Sequence, residues 1–354
     1  GAGRKANMSS NCTTKLVVAN PSSRGDLDYI DTSVYRFEVV VDWISFQIET
    51  VEPTQFRYIQ AHLVEGIGSK PFIEPINLET GERKTDGGGT TTVFNLKVYD
   101  QYANNYQKLA GLFALLQKKY PLITEPKITG IEIAFDAYSL SHSNDDLCGM
   151  SLWMMERLNA AKNNVRQYDP LKWIKGDNVT LSDKPELQLD PRWNLRVGNR
   201  WDDLSYQVYL KTVNRKLVIE NPAKHCARSE FTLCGSTLAA EGIKSLSDLK
   251  IFDFKRLATY IRFRGLKTLD QIIAENEGKL RWIVESSYDR RAVCLTGGRG
   301  RGLRYANGKI RKSDSRKASS HTLMSKQTKD MNDRVTRNFK VLNSNFHTEK
   351  RTKN

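Results

Sequence analysis

Two stretches gather side chains that handle phosphate and protons: Tyr-Gln-Val-Tyr-Leu-Lys-Thr at 206–212 and Ala-Arg-Ser-Glu-Phe-Thr-Leu at 227–233. With the two-residue period of a strand, Gln207, Tyr209 and Lys211 share one face of the first, and Arg228, Glu230 and Thr232 share one face of the second. The opposite faces are apolar, with Val208 and Leu210 on one strand and Phe231 and Leu233 on the other. A phenol becomes a nucleophile once a base takes its proton, and an ammonium or guanidinium binds phosphate oxygens. Glu230 beside Lys211 also reads as a cross-strand ion pair.

A third strand, Gly-Ile-Glu-Ile-Ala-Phe-Asp at 130–136, adds acids to such a face. Glu132, Ala134 and Asp136 point one way and Ile131, Ile133 and Phe135 the other. The two carboxylates lie about 13 Å apart along the strand, so each would pair with a group on a neighbour rather than share one ion. Beside the strands at 206–212 and 227–234, Glu132 or Asp136 together with Glu230 would offer hard oxygens to Mg²⁺ or Mn²⁺. The strand through 39–49 carries Asp42 on one face and Trp43, Ser45, Gln47 and Glu49 on the other, so Asp42 and Glu49 share a face only across a bulge.

The elements that must position these groups follow an α+β pattern. Residues 34–49, 72–77, 91–99, 128–138, 206–212 and 227–234 read as strands. Helices are expected at 53–66, 102–119 and 145–163, with Leu109, Leu112, Phe113 and Leu116 as the apolar stripe of the second. The stretch 165–194, with Pro170, Pro185 and Pro191, reads as an irregular segment, either a functional loop or an insertion. After 235 the pattern turns helical, including 248–264, with a break near Gly265. The fold expected is an antiparallel sheet with helices on one face, followed by a helical subdomain. The boundaries are a polar lead-in at 1–32, the sheet domain at 33–235, the helical subdomain at 236–295 and a basic arm at 296–354.

Composition narrows the partners. The 354 residues are 39% hydrophobic and 27% charged, enough for a sizeable core. No apolar run is long enough to span a bilayer and the first residues lack a signal-peptide core, so no membrane role is expected. Five cysteines without a Cys-x-x-Cys pair point to a reducing cytoplasm and no zinc site. The net charge of +15 is concentrated: residues 299–354 hold sixteen Lys or Arg against four acids, leaving the first 298 residues at +3. Such an arm attracts polyanions by releasing counterions, with nucleic acid the leading partner and Arg299, Arg301, Arg304, Lys309, Arg311, Lys312, Arg316 and Lys317 its candidate contacts. The five histidines are scattered, and Gly-Gly-Arg-Gly-Arg-Gly at 297–302 lacks the Gly-Lys-Ser/Thr ending of a phosphate loop.

Taken in order, Asp-Trp-Ile-Ser-Phe (42–46), Gly-Ile-Glu-Ile-Ala-Phe-Asp (130–136), Leu-Arg-Val-Gly-Asn-Arg (195–200), Tyr-Gln-Val-Tyr-Leu-Lys-Thr (206–212), Ala-Arg-Ser-Glu-Phe-Thr-Leu-Cys-Gly (227–235) and Leu-Lys-Ile-Phe-Asp-Phe-Lys-Arg-Leu (249–257) resemble a known family. They are similar to the replication initiation factors, rolling-circle initiators of the Rep_trans type found on plasmids and filamentous or satellite phages and related to relaxases of conjugative elements. The resemblance spans residues 40 to about 265. It implies an RNA-recognition-like or nicking-enzyme sheet, a tyrosine that attacks a DNA phosphate, and Mg²⁺ or Mn²⁺ held by acids.

Carried onto this chain, it makes Tyr209 the nucleophile with Tyr206 as alternative, Lys211 and Arg228 phosphate contacts, and Asp42, Glu132, Asp136 and Glu230 metal or structural carboxylates. Arg196 and Arg200 become DNA contacts. Family members often carry a tyrosine before the glycine of the 195–198 segment, where this chain has Val197, so a nucleophile belonging there is either lost or its role moved to Tyr209 or Tyr206. The expected partners are single-stranded or origin duplex DNA, a host helicase and a second copy of the chain, in a bacterial cytoplasm. A non-cleaving origin-binding protein and an RNA-binding or structural protein are the alternatives to a nicking and joining enzyme.

Overall fold

Alternation of apolar and polar residues builds one large antiparallel sheet. The computed structural model describes residues 30–68, 70–76, 89–160, 165–168, 179–180, 193–199, 202–214, 217–266, 322–323 and 325–348. Its strands include β1 (Tyr35–Thr54), β2 (Phe72–Pro75), β3 (Thr91–Tyr99), β4 (Lys127–Ser139), β5 (Val165–Tyr168), β6 (Val179–Thr180), β7 (Asn194–Val197), β8 (Leu204–Lys211), β9 (Val213–Asn214), β10 (Leu217–Val218) and β11 (Cys226–Cys234). Nine of them form a sheet in the order β2-β3-β1-β4-β11-β8-β7-β5-β6, while β9 and β10 make a separate hairpin. Strands expected from the sequence fall within a few residues of those observed. The stretch 165–194 differs: its described parts include β5 and β6, which extend the sheet edge through β7.

The helices are α1 (Phe56–Ile67), α2 (Asp100–Ala103), α3 (Tyr106–Lys119), α4 (Asn144–Arg157), α5 (Gly235–Ala240), α6 (Leu246–Ile251) and α7 (Lys326–His347). Burial on the sheet's apolar face is continuous: Ile44, Phe46, Ile131, Ile133, Val208 and Phe231 join Leu109, Phe113, Met154, Val335 and Phe339 in one core. Ring contacts show the depth of the packing, with Phe113 edge-on to Phe46 at 4.8 Å and Phe339 stacked on Phe231 at 6.5 Å between centroids. None of the described helices is long and apolar enough to cross a membrane.

Three expectations change. The helix predicted over 102–119 is broken at Asn104 and Asn105: α2 stops, and Asn105 caps α3 by accepting from the Lys108 N–H. The helix expected at 248–264 ends at Ile251, because Phe252 is extended and Asp253 then caps a 3-10 turn, Phe254–Thr259. The described residues after 235 do not stand apart as a subdomain, since Leu238, Leu249, Phe254 and Phe263 share the sheet's core.

The largest correction concerns the basic arm. Its charged half, 299–317, lies outside the described residues, but 326–347 is a helix docked on the body. Met331, Val335, Phe339, Leu342 and Phe346 recur at helical spacing and are all buried. The Asn332 side-chain amide bonds both backbone groups of Phe263, and the Asn343 side chain accepts from the Phe254 N–H. Ser325 caps its start by accepting from the Thr328 N–H.

Candidate functional site

Register places the chemistry-bearing side chains in rows across the polar face. Asp136, Arg228 and Tyr209 stand directly opposite one another on β4, β11 and β8. The next row holds Ala134, Glu230, Gln207 and Arg196, and the third Trp43, Glu132, Thr232 and Ser205. Ala134, the smallest residue in the middle of the face, separates Asp136 from Glu132 along β4.

Asp42 reaches this face through an irregularity in β1. The pairing of β1 with β4 jumps from Val41 opposite Ile133 to Trp43 opposite Glu132, so Asp42 is an extra residue, and Asp42 and Trp43 both turn to the polar side. The bulge that the sequence required for Asp42 and Glu49 to share a face is therefore present. Asn104 stabilises it from beyond the end of β3, its amide oxygen accepting from the Val41 N–H at 2.8 Å and its amide nitrogen donating to the Val41 carbonyl at 2.7 Å. Buried backbone groups next to a bulge need such a partner.

At the centre is Arg228, which is 3% exposed. Its Nε and Nη2 donate to the two carboxylate oxygens of Asp136, each at 2.7 Å, and its Nη1 donates to Asp42 Oδ1. Asp136 is fully buried. Two expectations are corrected here: Asp136 spends both oxygens on the guanidinium fork and is unavailable to a metal, and Arg228 is an internal cation rather than a contact for DNA phosphate. Burial alone would lower the proton affinity of Arg228, but Asp136, Tyr209 and Asp42 outweigh it and hold the cation charged.

Around this pair sit the half-buried Tyr209, Lys211, Asp42 and Glu132 and the buried Glu230. Tyr209 donates its phenolic proton to Glu230 Oε2 at 3.0 Å, and Arg228 Nη1 lies 3.8 Å from the same oxygen. The contact is diagonal, from Tyr209 to the residue two beyond its direct partner, a distance that a tyrosine spans. Lys211 donates to Asp42 Oδ1 at 3.3 Å, so its ion pair is with Asp42 and not with Glu230. Thr232 donates to Glu132 Oε2 at 2.7 Å, and Arg196 to the Gln207 side-chain oxygen.

The carboxylates differ in charge state. Burial pushes Asp42 upward, yet the charges of Arg228 and Lys211 hold it below the usual carboxylate range. Glu230 is pushed well up by burial and then by Glu132, and Glu132 is raised by burial and then by Asp42. Burial and Glu230 together raise the Tyr209 phenol far above its ordinary range. A carboxyl whose folded pKa is raised destabilises the fold when ionised, so stability is gained as pH falls through the raised value toward the ordinary one. Glu132→Gln is therefore expected to stabilise the protein above the raised range of this carboxyl and to flatten the gain seen as pH falls through it, measured by urea unfolding.

Tyr206 is separated from the cluster. It lies on the opposite face of β8, 4% exposed, its ring 6.5 Å from that of Phe231 in the core. The alternative nucleophile is thereby corrected to a packing residue. Val197 is buried on that same side, opposite Tyr206, so position 197 does not face the cluster at all. Arg200 falls outside the described residues, as do the eight basic positions from Arg299 to Lys317.

Of the carboxylates expected to hold Mg²⁺ or Mn²⁺, Asp136 is committed to the Arg228 fork, whereas Asp42, Glu132 and Glu230 lie together on the polar face. Among the described residues no group of three or more His, Cys, Asp or Glu side chains comes together so as to hold a metal ion. The residues missed by sequence reading are Asn104, which orders the bulge, and Lys97, whose ammonium lies 3.7 Å over the Trp43 ring. The alternation of Asn95 and Lys97 with Phe94, Leu96 and Val98 marks β3 as a further part of the polar face.

No family model matches this sequence, and no curated protein matches it. One solved structure found in comparison is that of the rolling circle replication initiator protein from Geobacillus stearothermophilus, 15% identical, with 72% of this chain and 94% of that chain covered at a TM-score of 0.33. A likeness so loose carries no argument for function, and what the chain does is read from its own residues.

Proposed function

We propose that this chain binds DNA on the polar face of the sheet and cleaves and rejoins one strand through Tyr209, as a rolling-circle replication initiator would. The observation that carries this reading is the Tyr209 phenol donating to Glu230, beside Lys211 and with Arg228 fixed behind it. A nucleophile, a proton acceptor and a cation stand within one cluster on a rigid sheet, the arrangement that covalent phosphoryl transfer requires.

In the reaction, Tyr209 Oη attacks the scissile phosphorus while its proton passes to Glu230. The bond from phosphorus to the 3′ oxygen breaks, the 3′ oxygen takes a proton from a water that is reprotonated by Glu230, and the 5′ phosphate stays on the tyrosine. Rejoining is the reverse, with the 3′ hydroxyl as attacking group and the phenol reprotonated. Lys211 supplies positive charge where the phosphoryl oxygens become more negative. Arg228 acts through its neighbours: it neutralises Asp136 and Asp42, which would otherwise repel the phosphate.

Single-stranded origin DNA labelled at its 3′ end, incubated with the protein and then denatured, should leave label on the protein band. A parallel sample with Lys211→Gln is expected to form the product roughly tenfold or more slowly. No protein-linked label under any condition would reject cleavage.

One observation favours a second reading, an origin-binding protein that does not cleave. The same burial that orders Tyr209 makes its phenolate costly. That protein would bind the strand with the usual salt dependence and yield no covalent product.

A further inference from the structure

The docked helix α7 presents a second charged surface, on the side of the sheet away from Tyr209. Its inner face is spent on the core, where Phe339 stacks on Phe231, a residue of the apolar face. Its outer face carries Lys326, Lys329, Asp333, Arg337 and Lys340, all exposed and spaced three, four, four and three residues apart, which is one stripe of an α-helix.

None of the four cations on that stripe has a carboxylate within ion-pairing distance among the described residues. The neighbouring Arg334 is different, paired with Asp330 at 2.9 Å. Arg337 reaches only the backbone oxygen of Asp333 at 3.4 Å. Four cations against the single acid Asp333 leave this face of a rigid helix net positive, although Asp330 also acts on Arg337, and an anionic partner would relieve the excess.

We infer that the outer face of α7 is a docking surface for duplex DNA. Lys326 and Lys329 form one basic pair and Arg337 and Lys340 another, and the eleven-residue offset between corresponding members puts the pairs roughly 16 Å apart along the axis. That separation, with the reach of the long side chains, suits the two sugar-phosphate strands that flank a major groove about 12 Å wide. Asp333 stands midway between the pairs, where it would overlie the groove and not a phosphate. An interfacial membrane helix would need its apolar face free, whereas here that face is buried.

This surface is independent of the Tyr209 chemistry and lies on the opposite side of the body. A duplex held there would leave the polar face free for a single strand, so one molecule would contact DNA on both sides.

The test is duplex binding as a function of salt between 50 and 200 mM, by fluorescence anisotropy on the full chain. Replacing all four cations by Gln should reduce the slope of log affinity against log salt by roughly three to four, at about 0.9 for each phosphate that is no longer neutralised, with affinity near 100 mM at least tenfold weaker. The pair variants Lys326→Gln/Lys329→Gln and Arg337→Gln/Lys340→Gln should each remove about half of that change, and they carry the test if the fourfold variant melts early.

An unchanged slope in folded variants overturns the inference. So does uptake by vesicles containing phosphatidylserine that outcompetes the duplex with the same four-residue dependence. If the parent protein forms no covalent product with single-stranded DNA while these slopes still fall, the cleavage reading fails and this one stands.

Discussion

Tyr209→Phe abolishes the covalent protein–DNA product and leaves the fold in place. The substitution removes one oxygen from a side chain whose ring remains in the row with Arg228 and Asp136. No other described tyrosine can substitute for it on this face of β8, because Tyr206 points into the core. The loss should reach the detection limit of a labelled-band assay, four or more orders of magnitude being usual when a nucleophile is removed. Glu230→Gln leaves the nucleophile but not its proton acceptor and is expected to slow product formation by ~10² to 10⁴. In the parent, product formation should fall as pH is lowered through the raised range of Glu230, because a protonated Glu230 accepts nothing. A Tyr209→Phe protein that still forms the product would remove Tyr209 from the mechanism.

The second large effect is on stability. Arg228→Met should destabilise the protein by roughly 3–5 kcal/mol, since it leaves the fully buried Asp136 without the two hydrogen bonds from the guanidinium and without its counter-charge, with the longer Tyr138 contact remaining. Asp42 and Glu230 would lose a neighbouring cation as well. Pairing the change with Asp136→Leu should recover part of the loss, because a buried ion pair replaced by apolar groups is often close to neutral. Denaturant midpoints for the two single variants and the double variant separate these cases. A single variant as stable as the parent would mean that Asp136 takes up a proton or reaches water without cost.

Much of the site was legible in the sequence because strands alternate. The period-2 pattern at 130–136, 206–212 and 227–233 alone put Glu132, Asp136, Tyr209, Lys211, Arg228 and Glu230 on polar faces, and pairing then brought those faces together. Which groups touch within a face depends on strand order and register, which alternation does not encode. Glu230 was therefore expected beside Lys211, whereas Lys211 reaches across to Asp42 on β1 and Glu230 takes Tyr209. The bulge at Asp42 was legible only as a condition. Its cause, the Asn104 amide bonded to Val41 from sixty-three residues away, has no local sequence mark.

Charge composition misled in another way. Residues 326–347 are polar enough to read as part of a solvated arm, yet Met331, Val335, Phe339, Leu342 and Phe346 keep a helical period inside that composition. The counted charge concealed an amphipathic pattern. The break at Phe252 escaped because Phe252, Phe254 and Leu257 fit an apolar stripe equally well as a short helix followed by a 3-10 turn.

The most direct test of the central claim is to digest the protein–DNA product and identify by mass spectrometry the residue that bears the nucleotide. The account predicts a 5′-phosphate ester on Tyr209. A nucleotide on any other residue, or no modified peptide after incubation with single-stranded origin DNA, would contradict it.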